Sequence, residues 1–280
     1  MNKGYICFPG FKRKVLTLSY DDGVRQDKRL ISIMQRYGLK GTFNINSGLV
    51  SDIYTGKEEG HMTMQEAKEL YLSSGMEVAI HGHKHVSLSL VEKTSAIHEI
   101  IEDRKILEKE FGCIIKGLAY ANGAYDDEVV DLLKLCGVNY ARTINYTERF
   151  DIPNDWLRLS ATCHHNNQRL MQFAKEFIEA DTNVNNWRTP PIMFYLWGHS
   201  YEFDRDNNWS VIENFASYIG GREDIWYATN GEIFEYLQAC ERLEFGAETR
   251  YIKNLSAISV YVEMLGKKIL VPAGKTVQIY

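Results

Sequence analysis

The sequence predicts an α/β fold of parallel βα units followed by a short all-β tail. From Val15 to about Ala141, short apolar runs alternate with longer amphipathic ones, and strand then helix, repeated, is how a parallel sheet covered by helices reads. After about Glu244 the rhythm becomes a period-two alternation broken by glycine-containing turns, which reads as antiparallel strands.

Taken in order, "VLTLSY" reads as a buried strand and "RQDKRLISIMQRYG" as the helix that follows it. "GTFNINSG" and "TMQEAKELYLSSG" repeat the pair, and "EVAIHGH" opens a third. The helix predicted over Lys93–Phe111 carries Ile97, Ile100, Ile101, Ile106 and Leu107 near helical spacing and stops at Gly112. "IKGLAYANG", "DDEVVDLLKLCG" and "VNYARTI" then read as strand, helix and strand. The second half is less regular: "WLRLSATCHH", a helix around Leu170 to Ala180, the apolar strand "PIMFYLWGHS" and a helix around Asn230 to Leu243. The tail follows as "AISVYVEM", "LGKK" and "ILVPAGKTVQIY", with no internal repeats or low-complexity tracts anywhere. The expected division is residues 1–245 as the α/β unit and 246–280 as the β appendage.

At 280 residues, 45% hydrophobic and 25% charged, the chain is long enough for one large domain with a substantial core. A net charge of -5 leaves no basic footprint for nucleic acid or an anionic membrane. The start has no apolar core of signal-peptide length and no later segment approaches a membrane span. A cytoplasmic location is the expectation, with secretion the alternative if a leader has been removed. The five cysteines are scattered and never spaced C-x-x-C, which argues against a disulfide framework or a zinc ribbon. The exposed strand edges of the tail make a homo-oligomer contact natural.

Chemistry enters with "LTLSYDDG", where a buried strand ends on two adjacent carboxylates, Asp21 and Asp22. Like charges resist burial together unless a metal or an arginine sits beside at least one of them. "EVAIHGHKH" ends a second strand on His81, His83 and His85, and "FYLWGHS" ends a third on His199. In parallel α/β folds the working residues gather at the carboxyl ends of strands. One aspartate and two histidines with open coordination positions form a catalytic rather than a structural metal site. The other aspartate is then placed to take a proton and a histidine across the site to give one. Read singly, a DD turn is an ordinary solvated turn and a histidine cluster an ordinary surface feature; three such strand ends in one series are not.

"LSYDDG", "HGHKH", "AYANGAYD" and "LWGHSYEFD", in this order over roughly Val15 to Leu243, resemble the motifs of the polysaccharide deacetylases, carbohydrate esterase family 4. The first two and the last are specific. The resemblance implies a distorted (β/α) barrel with about seven parallel strands, here with the small C-terminal β appendage. It implies Asp21 as general base, Asp22, His81 and His85 as ligands of a divalent metal, and His199 as general acid. His83 then falls on a variable position, Leu196 and Trp197 line the acetyl pocket, and Tyr120 stands beside the metal with its backbone N–H toward an oxyanion. Zinc is the first expectation for the metal; cobalt, nickel, manganese and iron also suit two imidazoles and a carboxylate.

The chain departs from the family where an Arg-x-Pro-x-Gly motif is due, since Ala119 to Gly123 reads Ala-Tyr-Ala-Asn-Gly. Arg142, at the end of the next strand, is the expected substitute beside Asp21. Asp155, Trp156, His164 and His165 are the candidates for a group in contact with His199, each reading singly as plain surface loop, and Trp197, Tyr201, Trp226 and Tyr227 are the aromatic residues whose strand-end place suits a sugar cleft. The implied reaction is metal-assisted hydrolysis of an acyl group, N-acetyl first, from a carbohydrate. Hydrolysis of a small non-sugar amide, such as a cyclic ureide or formamide, and carbohydrate binding without catalysis are the alternatives.

Overall fold

The computed structural model describes residues 5–50, 60–182, 189–264 and 266–280. After β1 (Ile6–Cys7) the chain runs through β2 (Lys14–Asp21), α1 (Asp27–Arg36), β3 (Gly41–Ile45), α2 (Met64–Ser74), β4 (Glu77–Ile80), α3 (Lys93–Phe111), β5 (Gly117–Ala119), α4 (Asp127–Leu135) and β6 (Tyr140–Tyr146). Then follow β7 (Leu159–Ala161), β8 (Cys163–His164), α5 (Leu170–Glu179), β9 (Ile192–Gly198), α6 (Tyr201–Arg205), α7 (Ser210–Ile219), β10 (Ile225–Tyr227) and α8 (Asn230–Glu241). After α8 come β11 (Leu243–Phe245) and then the tail strands β12 (Tyr251–Asn254), β13 (Val260–Met264), β14 (Lys267–Val271) and β15 (Thr276–Gln278). The expected helix over Lys93–Phe111 forms with those bounds and ends at Gly112, whose φ of +67° no side-chain-bearing residue adopts as cheaply.

The expected barrel is there, with parallel strands in the order β7, β6, β5, β4, β3, β2, β9, β8 and with β10 on the first half of β2. One extended segment closes the ring. Its first part, β7, pairs with β6, its second part, β8, pairs with β9, and Thr162 lies between them. The ring is distorted at this seam, where the β6–β7 register shifts between Arg142 and Tyr146. Counting β7 and β8 as one position and leaving aside β10, which lies on the first half of β2, seven parallel strands surround the interior among the described residues.

Every residue of β2 is buried because both of its faces are covered, and successive side chains alternate between them. Leu16, Leu18 and Tyr20 face outward into a core shared with the helices, alongside Phe43 and Leu196. Val15 faces the other way, into a core with Tyr195, Trp197 and the tail residues Ile252, Val260 and Val271. The interior is polar higher up: Thr17 donates to Asn230 at 3.0 Å, and Asn44 donates to Ser19 at 2.9 Å. A strand that read as a plain apolar run therefore presents its polar residues to one place.

The tail forms two three-stranded antiparallel sheets. Each borrows a strand from elsewhere: β1 pairs with β13, and β11 continues directly from α8 to pair with β12. Tyr236 of α8 donates to the carbonyl of Cys7, so the appendage packs on the end of the barrel where β2 begins. Among the described residues no helix is long and apolar enough to cross a membrane.

Thr162 holds the seam by both of its groups. Its N–H donates to Tyr195 O at 2.8 Å, and its hydroxyl accepts the Tyr195 N–H at 3.0 Å while donating to Arg149 O at 3.0 Å. Thr162→Val keeps the shape and strands the buried Tyr195 N–H, which costs about 1–3 kcal/mol. The urea midpoint of the variant is expected to fall with an unchanged m-value; an unmoved midpoint would deny the hydroxyl any part in closure.

Candidate active site

Three strand ends and the left-handed turns after two of them build the site. Asp21 is the last residue of β2 and continues its pleat, so its carboxylate points into the barrel. Asp22 then takes φ +80°, which a short polar side chain tolerates best among non-glycine residues. Gly23 follows at φ +67°, where a Cβ would press on Ile45 and Val50. This turn separates the two carboxylates: Asp21 goes inward and Asp22 faces the histidines.

The histidine segment is neither an extended strand nor a helical turn. β4 stops at Ile80, and Gly82 at φ +84° and His85 at φ +57° fold the chain back. The Nε2 atoms of His81 and His85 lie 3.4 and 3.6 Å from Asp22 Oδ1. His83 turns away, its Nδ1 3.0 Å from the Ser47 hydroxyl. Two carboxylates on α3 hold this segment by its backbone: Asp103 accepts from His81 N–H at 3.0 Å, and Glu99 from Lys84 N–H at 2.7 Å. Asn46 completes the frame by donating to the carbonyls of His81 and Gly82 at 2.8 and 2.7 Å.

Asp22, His81 and His85 offer ligand atoms that all lie within 4.8 Å of one another. His81 Nδ1 is 2.9 Å from the carbonyl of Ala119. A carbonyl only accepts, so Nδ1 carries the hydrogen and, in the neutral ring, Nε2 keeps its lone pair. That Nε2 is buried and has no hydrogen-bond partner among the described residues. Burial pushes His81 down, but the Asp21 and Asp22 carboxylates outweigh it and raise the group overall. Burial likewise opposes ionisation of Asp22, yet contact with His81 and the nearby imidazoles carry it well below the ordinary carboxylate range. The pocket is built to receive positive charge, and the residues present fit a divalent cation.

Asp21 is 2% exposed. Arg142 Nη2 donates to its Oδ2, and Asn44 donates to its Oδ1 at 2.9 Å. Burial works against the charged form, but Arg142, His81 and His199 together hold the carboxyl below its usual range. The position where an arginine was due, Ala119, is the register partner of Arg142 on the neighbouring strand. Parallel partners share a face, so the guanidinium enters from one strand farther round at the same height. It lies 4.4 Å over the Trp197 ring, a cation–π contact that strengthens when desolvated.

His199 follows β9 with Nε2 3.7 Å from Asp21 Oδ2 and Nδ1 3.6 Å from Glu202 Oε1. Burial lowers this group, while Glu202, Asp21 and Asp22 raise it further, so the net shift is upward. A second cluster lies behind it, with ligand atoms of His164, His165 and Glu202 also within 4.8 Å of one another.

Several expected residues go elsewhere. Leu196 faces the helices, on the opposite side of β9 from Trp197, and lines no interior pocket. Tyr120 spends its N–H on the carbonyl of Arg142 at 3.0 Å, a rung between β5 and β6, and its hydroxyl on Leu157 O at 2.8 Å. It therefore has no backbone donor left for an oxyanion, and its part is to support the barrel. Trp226 packs on Phe8 and Tyr236 at the far end, and Tyr227 donates to Ile219 O. Asp155 pairs with Arg158, and Trp156 packs on Phe234. Tyr201 does stand by the site, its ring 5.3 Å from that of His199. Glu202, Asn44, Glu99 and Asp103 escaped the sequence reading. The available signal was a glutamate three residues after His199 and two acids four residues apart on an otherwise apolar helix face.

Residues 9–141 match the family model for polysaccharide deacetylase. That segment belongs to the polysaccharide deacetylase family. Among solved structures, a candidate polysaccharide deacetylase from Mycobacterium smegmatis shares 16% identity and a TM-score of 0.58, over 85% of this chain and 94% of that one. PuuE allantoinase shares 13% identity and a TM-score of 0.58, over 81% and 91%. At these identities the likeness is one of fold. The chain covers 61% of a Streptococcus pyogenes deacetylase solved with acetate, at 21% identity, a TM-score of 0.46 and 51% of this chain. No curated protein matches.

Two outcomes follow from the buried charges. Arg142→Met leaves Asp21 buried without its cation, which costs about 3–5 kcal/mol, read as a lowered urea midpoint; an unchanged midpoint would mean the pair holds nothing. Asp27, beneath the site, accepts from the hydroxyls of Ser200 and Tyr71 at 2.5 and 2.6 Å. Burial, with the charges of Asp22 and Asp21, pushes its carboxyl up to about 7 against those hydrogen bonds. Its folded value exceeds the ordinary value of about 4, so its contribution to stability is fully present below about pH 4. That contribution is lost as pH rises through about 7. Asp27→Asn is expected to remove a slope of up to about 1.4 kcal/mol per pH unit in that window; parallel stability profiles for variant and wild type would refute it.

Proposed function

We propose that the chain is a hydrolase that removes an acyl group, N-acetyl first, from a carbohydrate. The observation that carries this reading is the bare, buried Nε2 of His81 within reach of Asp22 and His85, beside an aspartate that Arg142 keeps ionised. The deacetylase match over residues 9–141 supports the reaction class. Tyr201 beside His199 supports a sugar, whose C–H face packs on aromatic rings.

Asp22, His81 and His85 would hold the divalent metal, zinc first, which when bound polarises an acyl carbonyl and makes water more acidic. Asp21 takes the proton of the attacking water. Asn44 and Arg142 occupy its two oxygens from behind, fixing the carboxylate in one orientation. His199, raised toward the protonated form, gives its proton to the nitrogen or oxygen that leaves as the acyl–heteroatom bond breaks. Asp21 and His199 are 3.7 Å apart, so base and acid sit close enough to share one substrate. Trp197, 7% exposed and capped by the Arg142 guanidinium, supplies an apolar floor for a small acyl group.

The test is zinc content and acetate release from N-acetylated oligosaccharides for wild type, Asp21→Asn and His81→Ala. Wild type is expected to hold zinc and release acetate. Asp21→Asn keeps the metal and loses about 10²–10⁴ in kcat, and His81→Ala loses both. Zinc without acetate from any N-acetyl sugar would turn the reading toward small amides. A folded wild type that takes up no zinc would end it.

A further inference from the structure

The ligand atoms of the cluster behind His199 lie within 4.8 Å of one another, as in the first cluster, but its surroundings give it a different chemistry. His164 Nδ1 accepts the backbone N–H of Asn166 at 3.2 Å. The hydrogen of the neutral ring is therefore on Nε2, which lies 3.3 Å from Glu202 Oε2. That nitrogen is a donor and offers a metal no lone pair, the reverse of His81, whose outer nitrogen faces a carbonyl. His165 Nε2 reaches the same oxygen at 3.0 Å, and the Asn166 amide donates to it at 3.3 Å. Oε2 thus accepts from Asn166 and has both imidazoles beside it, while the other oxygen, Oε1, has His199 Nδ1 at 3.6 Å and Arg205 at 3.5 Å.

We propose that Glu202 is the positioning residue of His199, and that His164 and His165 form an imidazole clamp on its far oxygen which reserves the near oxygen for His199. This rests on the reading of His199 as proton donor.

The clamp is fixed in place. His165 donates its N–H to Trp197 O at 2.9 Å, and its ring stacks between Phe203 and Tyr20 at 4.2 and 5.7 Å. It rests so closely on the backbone of β9 that a Cβ at Gly198 would overlap its ring. His164 meets Trp197 edge-on at 4.6 Å. Burial, with the other imidazoles, pushes His164 down to about 4 and lowers His165 against the pull of Glu202, which leaves both rings neutral near neutral pH. Glu202 stays ionised despite its burial because His165 and His199 oppose that penalty. The groups that face His199 are Asp21 at the end of β2 and Asp22 in the turn after it, His85 from the β4 turn, His164 at the end of β8 and His165 just after it, and Tyr201, Glu202 and Arg205 from α6. Removing the charge of Glu202 leaves Asp21 and Asp22 still acting, so His199 is expected to shift and not to collapse to an isolated imidazole.

The experiment is an NMR titration of ring-labelled histidines in the zinc-loaded protein, for wild type, Glu202→Gln and His164→Leu, beside the pH profile of kcat/KM. Glu202→Gln is expected to lower the His199 midpoint by about one unit or more, with the alkaline limb of kcat/KM following. His164→Leu moves both in the same direction by less. A His199 midpoint unmoved in a folded Glu202→Gln, or unmoved in His164→Leu should Glu202→Gln fail to fold, would overturn the proposal. So would a second zinc per chain that His164→Leu abolishes, since the cluster would then be a metal site. If wild type releases no acyl group at all, the hydrolase reading falls, while the NMR midpoints still decide the pairing of Glu202 with His199.

Discussion

Everything at the mouth of the barrel answers to one constraint: two adjacent carboxylates end a fully buried strand, and each must be neutralised by something different. The pleat of β2 sends Asp21 inward, where Arg142 and Asn44 meet it. The left-handed turn at Asp22 sends the second carboxylate to His81 and His85. Had both stayed on the strand pleat, they would have pointed to opposite faces, and Asp22 would have been buried among the helices without a partner. The glycine after the pair is therefore part of the charge arrangement, because it lets the chain leave the sheet beside Ile45 and Val50.

Much of this was legible in the sequence, because strand ends can be read from apolar runs that stop on polar residues. The order of βα units, the helix over Lys93–Phe111 and the convergence of Asp21, Asp22, His81 and His85 all follow from that local pattern. What could not be read was the face each strand residue presents once the ring closes. Leu196 and Trp197 are equivalent as text, yet one belongs to the helix layer and the other to the interior. Tyr120 kept a motif position but lost its N–H to the β5–β6 ladder, a tertiary pairing with no local signature. The partners Asn44, Asp103 and Glu202 were illegible for the same reason: a supporting residue is defined by what it touches, and its type alone is common.

The site divides along the sheet. β2 and the turn after β4 bring the groups that attract a cation, while β6 and β9 bring the groups that set protonation, Arg142 and His199. The family match covers residues 9–141 and ends one position before Arg142. The arginine that the resemblance places at Ala119 is supplied from the register partner of Ala119 on the next strand, where a small residue leaves the guanidinium its space. A parallel sheet permits this exchange, since partners on neighbouring strands reach the same point in the interior.

The two histidine clusters share a composition and differ in chemistry. Counted by residue type and distance they are equivalent, each two imidazoles and one carboxylate within 4.8 Å. They differ in what stands behind the rings. A carbonyl behind His81 forces the hydrogen outward and leaves a lone pair facing Asp22; an N–H behind His164 forces the hydrogen inward, toward Glu202. The outer partner thus decides whether an imidazole is a ligand or a donor. The barrel places both kinds around one mouth, with Asp21 and His199 between them.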